Sequence, residues 1–205
     1  LRILNWQSRT VLAVVAGHTH YVMNAFFHPE EDIIISSSLD ETVRVWDFHD
    51  LKKKFAAGSK SSEEQVSSTD VSVKILIDSH DKPVNWACFH PKKKLIASAS
   101  DDKSVRVWRY TESRAWELDS LRGHSHNVTS VVFHPNLDIV ISCSEDKTVR
   151  VWDYSTHAEL MTHKKDSERF WVVIAHPTQN YFAAGHDGGL IFFTIESLKM
   201  PMQKF

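Results

Sequence analysis

Thirteen histidines are spread along the 205 residues, and imidazole is both the commonest metal ligand and the side chain whose charge changes near neutrality. Two close pairs, His18 with His20 and His124 with His126, invite a metal reading. Spacing argues against it. No Cys, Asp or Glu recurs beside these pairs at zinc-site intervals, and Cys88 and Cys143 stand far apart. Seven of the histidines fall instead in recurring Gly-His-type or Phe-His-Pro anchors, which is a structural placement. The glycines of His186-Asp187-Gly188-Gly189 suggest a phosphate cradle, but no helix is expected after them. Nucleophile elbow, Walker loop and kinase signatures are absent from the chain. The expectation is a non-catalytic protein with no metal and no cofactor. The lysine runs Lys52 to Lys54, Lys92 to Lys94 and Lys164-Lys165 fall between strands and read as solvated loops, with anionic lipid as a minor possibility.

The elements that position these residues come from self-similarity. Ser38 to Asp47, Ser100 to Arg109 and Ser144 to Asp153 are near copies, each with an Asp six residues before a Trp; a weaker fourth copy keeps that distance with Asp187 and Phe193. Upstream lie Phe27-His28-Pro29, Phe89-His90-Pro91, Phe133-His134-Pro135 and the degraded Ala175-His176-Pro177. Each unit opens at Gly17-His18, Ser79-His80, Gly123-His124 or Lys165-Asp166. Between anchors the segments are short, β-branched or aromatic, and bounded by turn formers. Val22 to Phe27, Ile33 to Ser38 and Thr42 to Asp47 read as an antiparallel meander, and Ile33-Ile34-Ile35 breaks polar alternation as a strand buried on both faces should.

A unit of about 40 to 45 residues opening with Gly-His and closing with Trp-Asp resembles the WD40 family, with four strands to each propeller blade. The fold class implied is all-β, a WD40 β-propeller. In that family the His, a strand Ser, the hairpin Asp and the Trp form a buried relay. The resemblance assigns His18, Asp40 and Trp46 to one relay, with Ser36 or Ser38. It assigns His80, Asp102 and Trp108 to a second and His124, Asp146 and Trp152 to a third. The last unit has Asp166 for the His and Phe193 for the Trp, so its blade is expected to lean on Phe170, Trp171, Phe182, Phe192 and Phe193.

Composition is that of an ordinary globular protein, and the formal net charge of −2 gives no global reason to expect nucleic acid. Two cysteines without partners point to a reduced cytosolic setting, and no apolar run reaches membrane-spanning length. Leu1 to Trp6 aligns with Val43 to Phe48, so the chain is read as starting inside a blade. The expected organisation is the end of a truncated blade at 1–16, then blades over 17–205, three complete and one incomplete, about half of a seven-bladed ring. His18 to His80 is longer than the other repeats, which predicts a polar, mobile surface loop inserted at about 52–72.

Several fillers carry a narrower resemblance. Gly-His-Thr-His-Tyr-Val-Met at 17–23, Asp50-Leu51-Lys52-Lys53, Val84-Asn85-Trp86-Ala87, Ala115 to Asp119, Arg169-Phe170-Trp171 and Ala184 to Gly189 together are similar to the coatomer α-subunit family of vesicle-coat proteins. They match the later blades of its N-terminal propeller. That resemblance implies recognition of dilysine signals on the cytosolic tails of membrane cargo, other coatomer subunits as partners, and a place in the cytoplasm and on Golgi membranes and COPI-coated vesicles in retrograde transport. The alternative is a generic WD40 scaffold for protein–protein interaction. Repeat register places Tyr21, Pro83, Asn127 and Arg169, and with them Leu39, Asp101, Glu145 and His186, on the rim where the central channel opens. Tyr21 falls on a matching cargo-contact position. Asp101 and Glu145 are chosen as acids for lysine ammonium groups, and Arg169 as a basic rim residue.

Overall fold

A computed structural model describes residues 1–56 and 71–195. Strands β1 (Arg2–Asn5) and β2 (Thr10–Val14) pair as a two-stranded sheet. A four-stranded meander follows in β3 (Val22–Phe27), β4 (Ile33–Ser38), β5 (Thr42–Asp47) and β6 (Ser72–Asp78). The next is β7 (Val84–Phe89), β8 (Leu95–Ser100), β9 (Ser104–Tyr110) and β10 (Ala115–Arg122). The third is β11 (Val128–Phe133), β12 (Ile139–Ser144), β13 (Thr148–Asp153) and β14 (Ala158–Lys164). Strands β15 (Phe170–Ala175), β16 (Tyr181–His186) and β17 (Gly189–Thr194) complete the described sheets. Pairing is antiparallel throughout, in blades of a β-propeller.

The sheets stack face to face, and their contacts form the core. Ile35, Val43 and Val45 meet Val84, Ala87 and Ile96 of the next sheet; Ala97, Val105 and Val107 meet Val128, Val131 and Val140; Ile141, Val149 and Val151 meet Phe170, Val173 and Ala184. Strands β4, β8 and β12 are buried at every position, which explains why alternation is absent from their sequences. Each large aliphatic removed from water on both faces contributes roughly 1.5–3 kcal/mol. The three-residue hairpins after β4, β8 and β12 end on Glu41, Lys103 and Lys147, whose φ values of 71°, 69° and 70° are the left-handed step that closes such a loop.

The segment expected as a loop from about 52 begins differently. Residues His49–Ala56 form helix α1, with Asp47 Oδ1 accepting the His49 amide at 2.9 Å and basic Lys53 and Lys54 in the last turn. Leu51 is buried against Trp46, Ile34 and Val71, and Lys52 Nζ lies 2.6 Å from Asp32. The remainder of the expected insertion, 57–70, lies outside the described residues. Lys92 to Lys94 are not a free basic run. Lys92 donates to Asn136 at 2.8 Å, Lys93 pairs with Asp138, and Lys94 lies 3.5 Å from Glu31, so all three reach a neighbouring blade.

Candidate functional site

The histidines divide by burial. His18, His80 and His124 are enclosed, and each joins an Asp and a Ser. His18 Nδ1 lies 2.8 Å from Asp40 Oδ2 and Nε2 2.7 Å from Ser36 Oγ, while Trp46 Nε1 donates to that same hydroxyl at 2.8 Å. The other two sets repeat this at 2.7, 2.7 and 2.9 Å (His80, Asp102, Ser98, Trp108) and at 2.9, 2.8 and 2.8 Å (His124, Asp146, Ser142, Trp152). Donor accounting fixes the direction. The carboxylate can only accept, so Nδ1 carries the proton; Nε2 of a neutral ring then accepts from the Ser hydroxyl, whose oxygen accepts from the indole. Of Ser36 and Ser38, the hub is therefore Ser36; Ser38 Oγ instead accepts the Asp40 amide at 3.1 Å.

Burial works to raise the three carboxyl pKa values, but hydrogen bonds override it. Thr42, the Thr19 amide and His18 hold Asp40 well below its ordinary value; His80 and Ser104 do so for Asp102, and His124 and Thr148 for Asp146. Desolvation lowers the His18 pKa and keeps that ring neutral. The three rings are enclosed, their side chains 4, 1 and 0% exposed, so these polar sets tie β-hairpin to blade. The anchor glycine has a packing reason. A Cβ at Gly123 would stand 3.0 Å from the Trp152 ring and 2.6 Å from Arg150 Nη1.

The fourth unit departs from the sequence expectation in register. In the other blades the residue before the hairpin Asp donates its amide across the strand pair: Leu39 to Tyr21 O, Asp101 to Pro83 O, and Glu145 to Asn127 O. Asp187 makes that bond itself, to Arg169 O at 3.1 Å. Its hairpin is one residue shorter, pairing His186 with Gly189, so Asp187 occupies the Asp101/Glu145 station and His186 the Ser144 one. The correction moves His186 off the rim station and Asp187 onto it. Ala184 stands where the other blades have the hub Ser. Expected aromatic packing is also divided: Phe170 and Phe182 are buried and Phe182 stacks on Phe193 at 4.5 Å, but Trp171 is 43% and Phe192 75% exposed.

What the rim residues build is a cleft of ≈ 360 Å³. The first strand of each blade carries a bulge after its opening residue, and the bulged residues Met23, Asn85, Thr129 and Trp171 all line this cleft. Asp101, Glu145, Asn127 and Trp86 complete it. Asn85 Nδ2 donates to Asp101 Oδ1 at 2.7 Å and Asn127 Nδ2 to Glu145 Oε1 at 3.1 Å, leaving each carboxylate one further oxygen. Arg169 Nη1 lies 3.7 Å and His126 Nδ1 3.8 Å from Glu145 Oε2. Of the four residues singled out from sequence, Asp101 and Glu145 line the wall, Arg169 touches it through Glu145, and Tyr21, 73% exposed with its ring edge-on to His20, is not part of it. Trp86 and Trp171 were not foreseen as wall residues; their place at a strand start beside the bulge was the available signal.

Three segments, 9–47, 71–109 and 116–153, match the family model for the WD domain, G-beta repeat. The last sheet, β15 to β17, with its shortened hairpin and missing relay, lies beyond them. Among relatives, the putative coatomer subunit alpha of Schizosaccharomyces pombe is 49% identical over 140 residues, 68% of this chain and 12% of that protein. Coatomer subunit alpha-2 of Arabidopsis thaliana is 49% identical over 153 residues (71% and 13%), and coatomer subunit alpha of Saccharomyces cerevisiae 46% over 160 (73% and 13%). The aligned region thus covers only 12–13% of the length of these relatives.

Proposed function

Because the chain belongs to the WD40-repeat family, and its curated relatives are coatomer α subunits, we propose that it is a non-catalytic propeller segment of a COPI coat. It reads dilysine signals on the cytosolic tails of membrane cargo in Golgi-to-ER transport, alongside other coat subunits at the cytosolic face of Golgi membranes and vesicles. Among the described residues no helix is long and apolar enough to cross a membrane, so attachment through the coat suits this reading. One observation carries it. Asp101 and Glu145 stand at the same register on adjacent blades in an open cleft; each binds an Asn amide through one oxygen and turns the other to a cation, which for Glu145 is already approached by Arg169 and His126. A lysine ammonium meets such an oxygen in a charge-assisted bond, while its methylene stem lies along Trp86 or Trp171. Tyr21, two residues before cleft-lining Met23, offers a ring to a flanking stem.

The test is titration of the full-length protein with a labelled peptide ending in a dilysine signal, beside the same peptide with both lysines replaced by glutamine. Asp101→Asn and Glu145→Gln should each weaken binding about fivefold, the ~1 kcal/mol expected of a half-exposed charge pair. Rising salt should weaken it further. Equal affinity for the two peptides would refute the reading.

A further inference from the structure

The corrected register puts a third carboxylate, Asp187, in line with Asp101 and Glu145, and one cation, Arg169, already lies beside both Asp187 and Glu145. The Arg169 guanidinium carbon lies 4.7 Å from the centroid of the Trp171 ring, Nε 3.5 Å from Asp187 Oδ2 and Nη1 3.7 Å from Glu145 Oε2. The aromatic floor is fixed independently of the arginine, because Trp171 Nε1 donates to Asp187 Oδ1 at 2.7 Å and the Arg169 backbone amide donates to Oδ2 at 2.9 Å. An indole face between two carboxylates is a built receptor for a planar or alkyl cation. Trp171 and Glu145 are also walls of the cleft, so the receptor opens onto it. Both contacts from the guanidinium to carboxylate are longer than a hydrogen bond, and the Arg169 side chain is 49% exposed. At the equivalent stations of the other blades stand Tyr21, Pro83 and Asn127, none of them a cation.

We propose that Trp171, Glu145 and Asp187 form a second cation-binding station, for a guanidinium or ammonium side chain of the bound peptide, which Arg169 occupies as a displaceable internal competitor. The station rests on the cleft's being a cation site, and it extends that reading from two carboxylates to three. An arriving basic side chain takes the indole face and the carboxylates, and Arg169 swings to solvent. The net gain is small, because one cation replaces another, so selectivity resides in side chains that fill the station better than these long internal contacts do. Removing the competitor strengthens binding of a basic ligand, the opposite of what loss of an anchoring residue does.

Arg169→Ala is the variant, and two probes separate the outcomes. The first is ethylguanidinium chloride, added at ionic strength matched with sodium chloride and followed by the fluorine resonance of fluorotryptophan at position 171, assigned by Trp171→Phe. The variant should show a saturable shift, and the parent protein the same shift only at a higher concentration of the probe. The second is a dilysine peptide with an amidated C-terminus, which should bind the variant about two- to fivefold more tightly, the worth of an exposed ion pair released from competition. A variant without a saturable shift refutes the station. So does a variant that loses affinity for the free-acid peptide while binding the amide unchanged, since Arg169 would then be a carboxylate anchor. A saturable shift in the variant, with no dilysine preference in either form, sustains the station and removes the dilysine reading.

Discussion

Replacing Asp146 by alanine removes an acceptor that serves four donors: His124 Nδ1 at 2.9 Å, the Ser125 amide at 2.9 Å, the Thr148 amide at 2.9 Å and Thr148 Oγ1 at 2.6 Å. The loss is not four times that of one bond. The Ser125 amide is near solvent and water replaces its acceptor. His124 can take the other tautomer, donating from Nε2 to Ser142 while Nδ1 accepts from Thr148 Oγ1, already 3.1 Å away; Ser142 then accepts from both His124 and Trp152, within its two lone pairs. The Thr148 amide remains unpaired and the Ser142 hydroxyl gives up its donation to Nε2; a buried donor left without a partner costs about 1–3 kcal/mol. The expected cost is about 2 kcal/mol, a drop of roughly 4–8 °C in Tm for a domain of this size. Asp146→Asn should cost less, since its amide can donate to Nδ1 of the switched ring and its oxygen can still accept from Thr148.

The pH dependence supplies a second, sharper readout. The folded carboxyl of Asp146 is held below its ordinary value, so the unfolded chain binds more protons at mildly acidic pH. Its contribution is complete above the unfolded value of about 3.9 and is lost as pH falls below that toward the folded one. Denaturant midpoints of parent and Asp146→Ala should therefore differ at neutral pH and converge below about pH 4. An unchanged neutral midpoint, or a gap that persists in acid, would refute the relay's energetic role.

Asp187→Ala should leave the denaturant midpoint close to that of the parent, because its carboxylate is exposed and Trp171 Nε1 can turn to water. Ile141→Ala, fully buried between β12 and the next sheet, should cost about 2–5 kcal/mol by denaturant melts, as a cavity between blades cannot collapse freely. Leu51→Ala should cost about 2 kcal/mol or more and expose α1 to limited proteolysis; proteolysis unchanged from the parent would mean that the helix is held otherwise. Burial pushes both thiols, Cys88 and Cys143, up to about 12. Neither should react with iodoacetamide at neutral pH in the native protein, and both should react in denaturant.

Self-similarity alone carries the blades. A strand set that pairs only with its sequence neighbours writes its turns, its Gly-His opening and its Trp-Asp close at nearly constant intervals. The recurring spacings His18–Asp40–Trp46, His80–Asp102–Trp108 and His124–Asp146–Trp152 were legible, and it was their resemblance to the WD40 family that named them as relays. Repeat register likewise put Asp101 and Glu145 at one rim. Tertiary structure decided what spacing cannot carry. Ser36 and Ser38 lie on the same side of one strand, and only the meeting of His18 and Trp46 selects the hub. Asp187 keeps its distance to Phe193, yet the hairpin lacks one residue, so that distance is measured from the rim station and not from the relay; Phe193 still pairs opposite Phe182 as Trp152 does opposite Val140. Helix α1 forms because Leu51 docks on a core that its polar neighbours do not announce. Trp86 and Trp171 reach one cleft because bulges re-aim the inner strand of every blade, and pairing registers rather than residue types create those bulges.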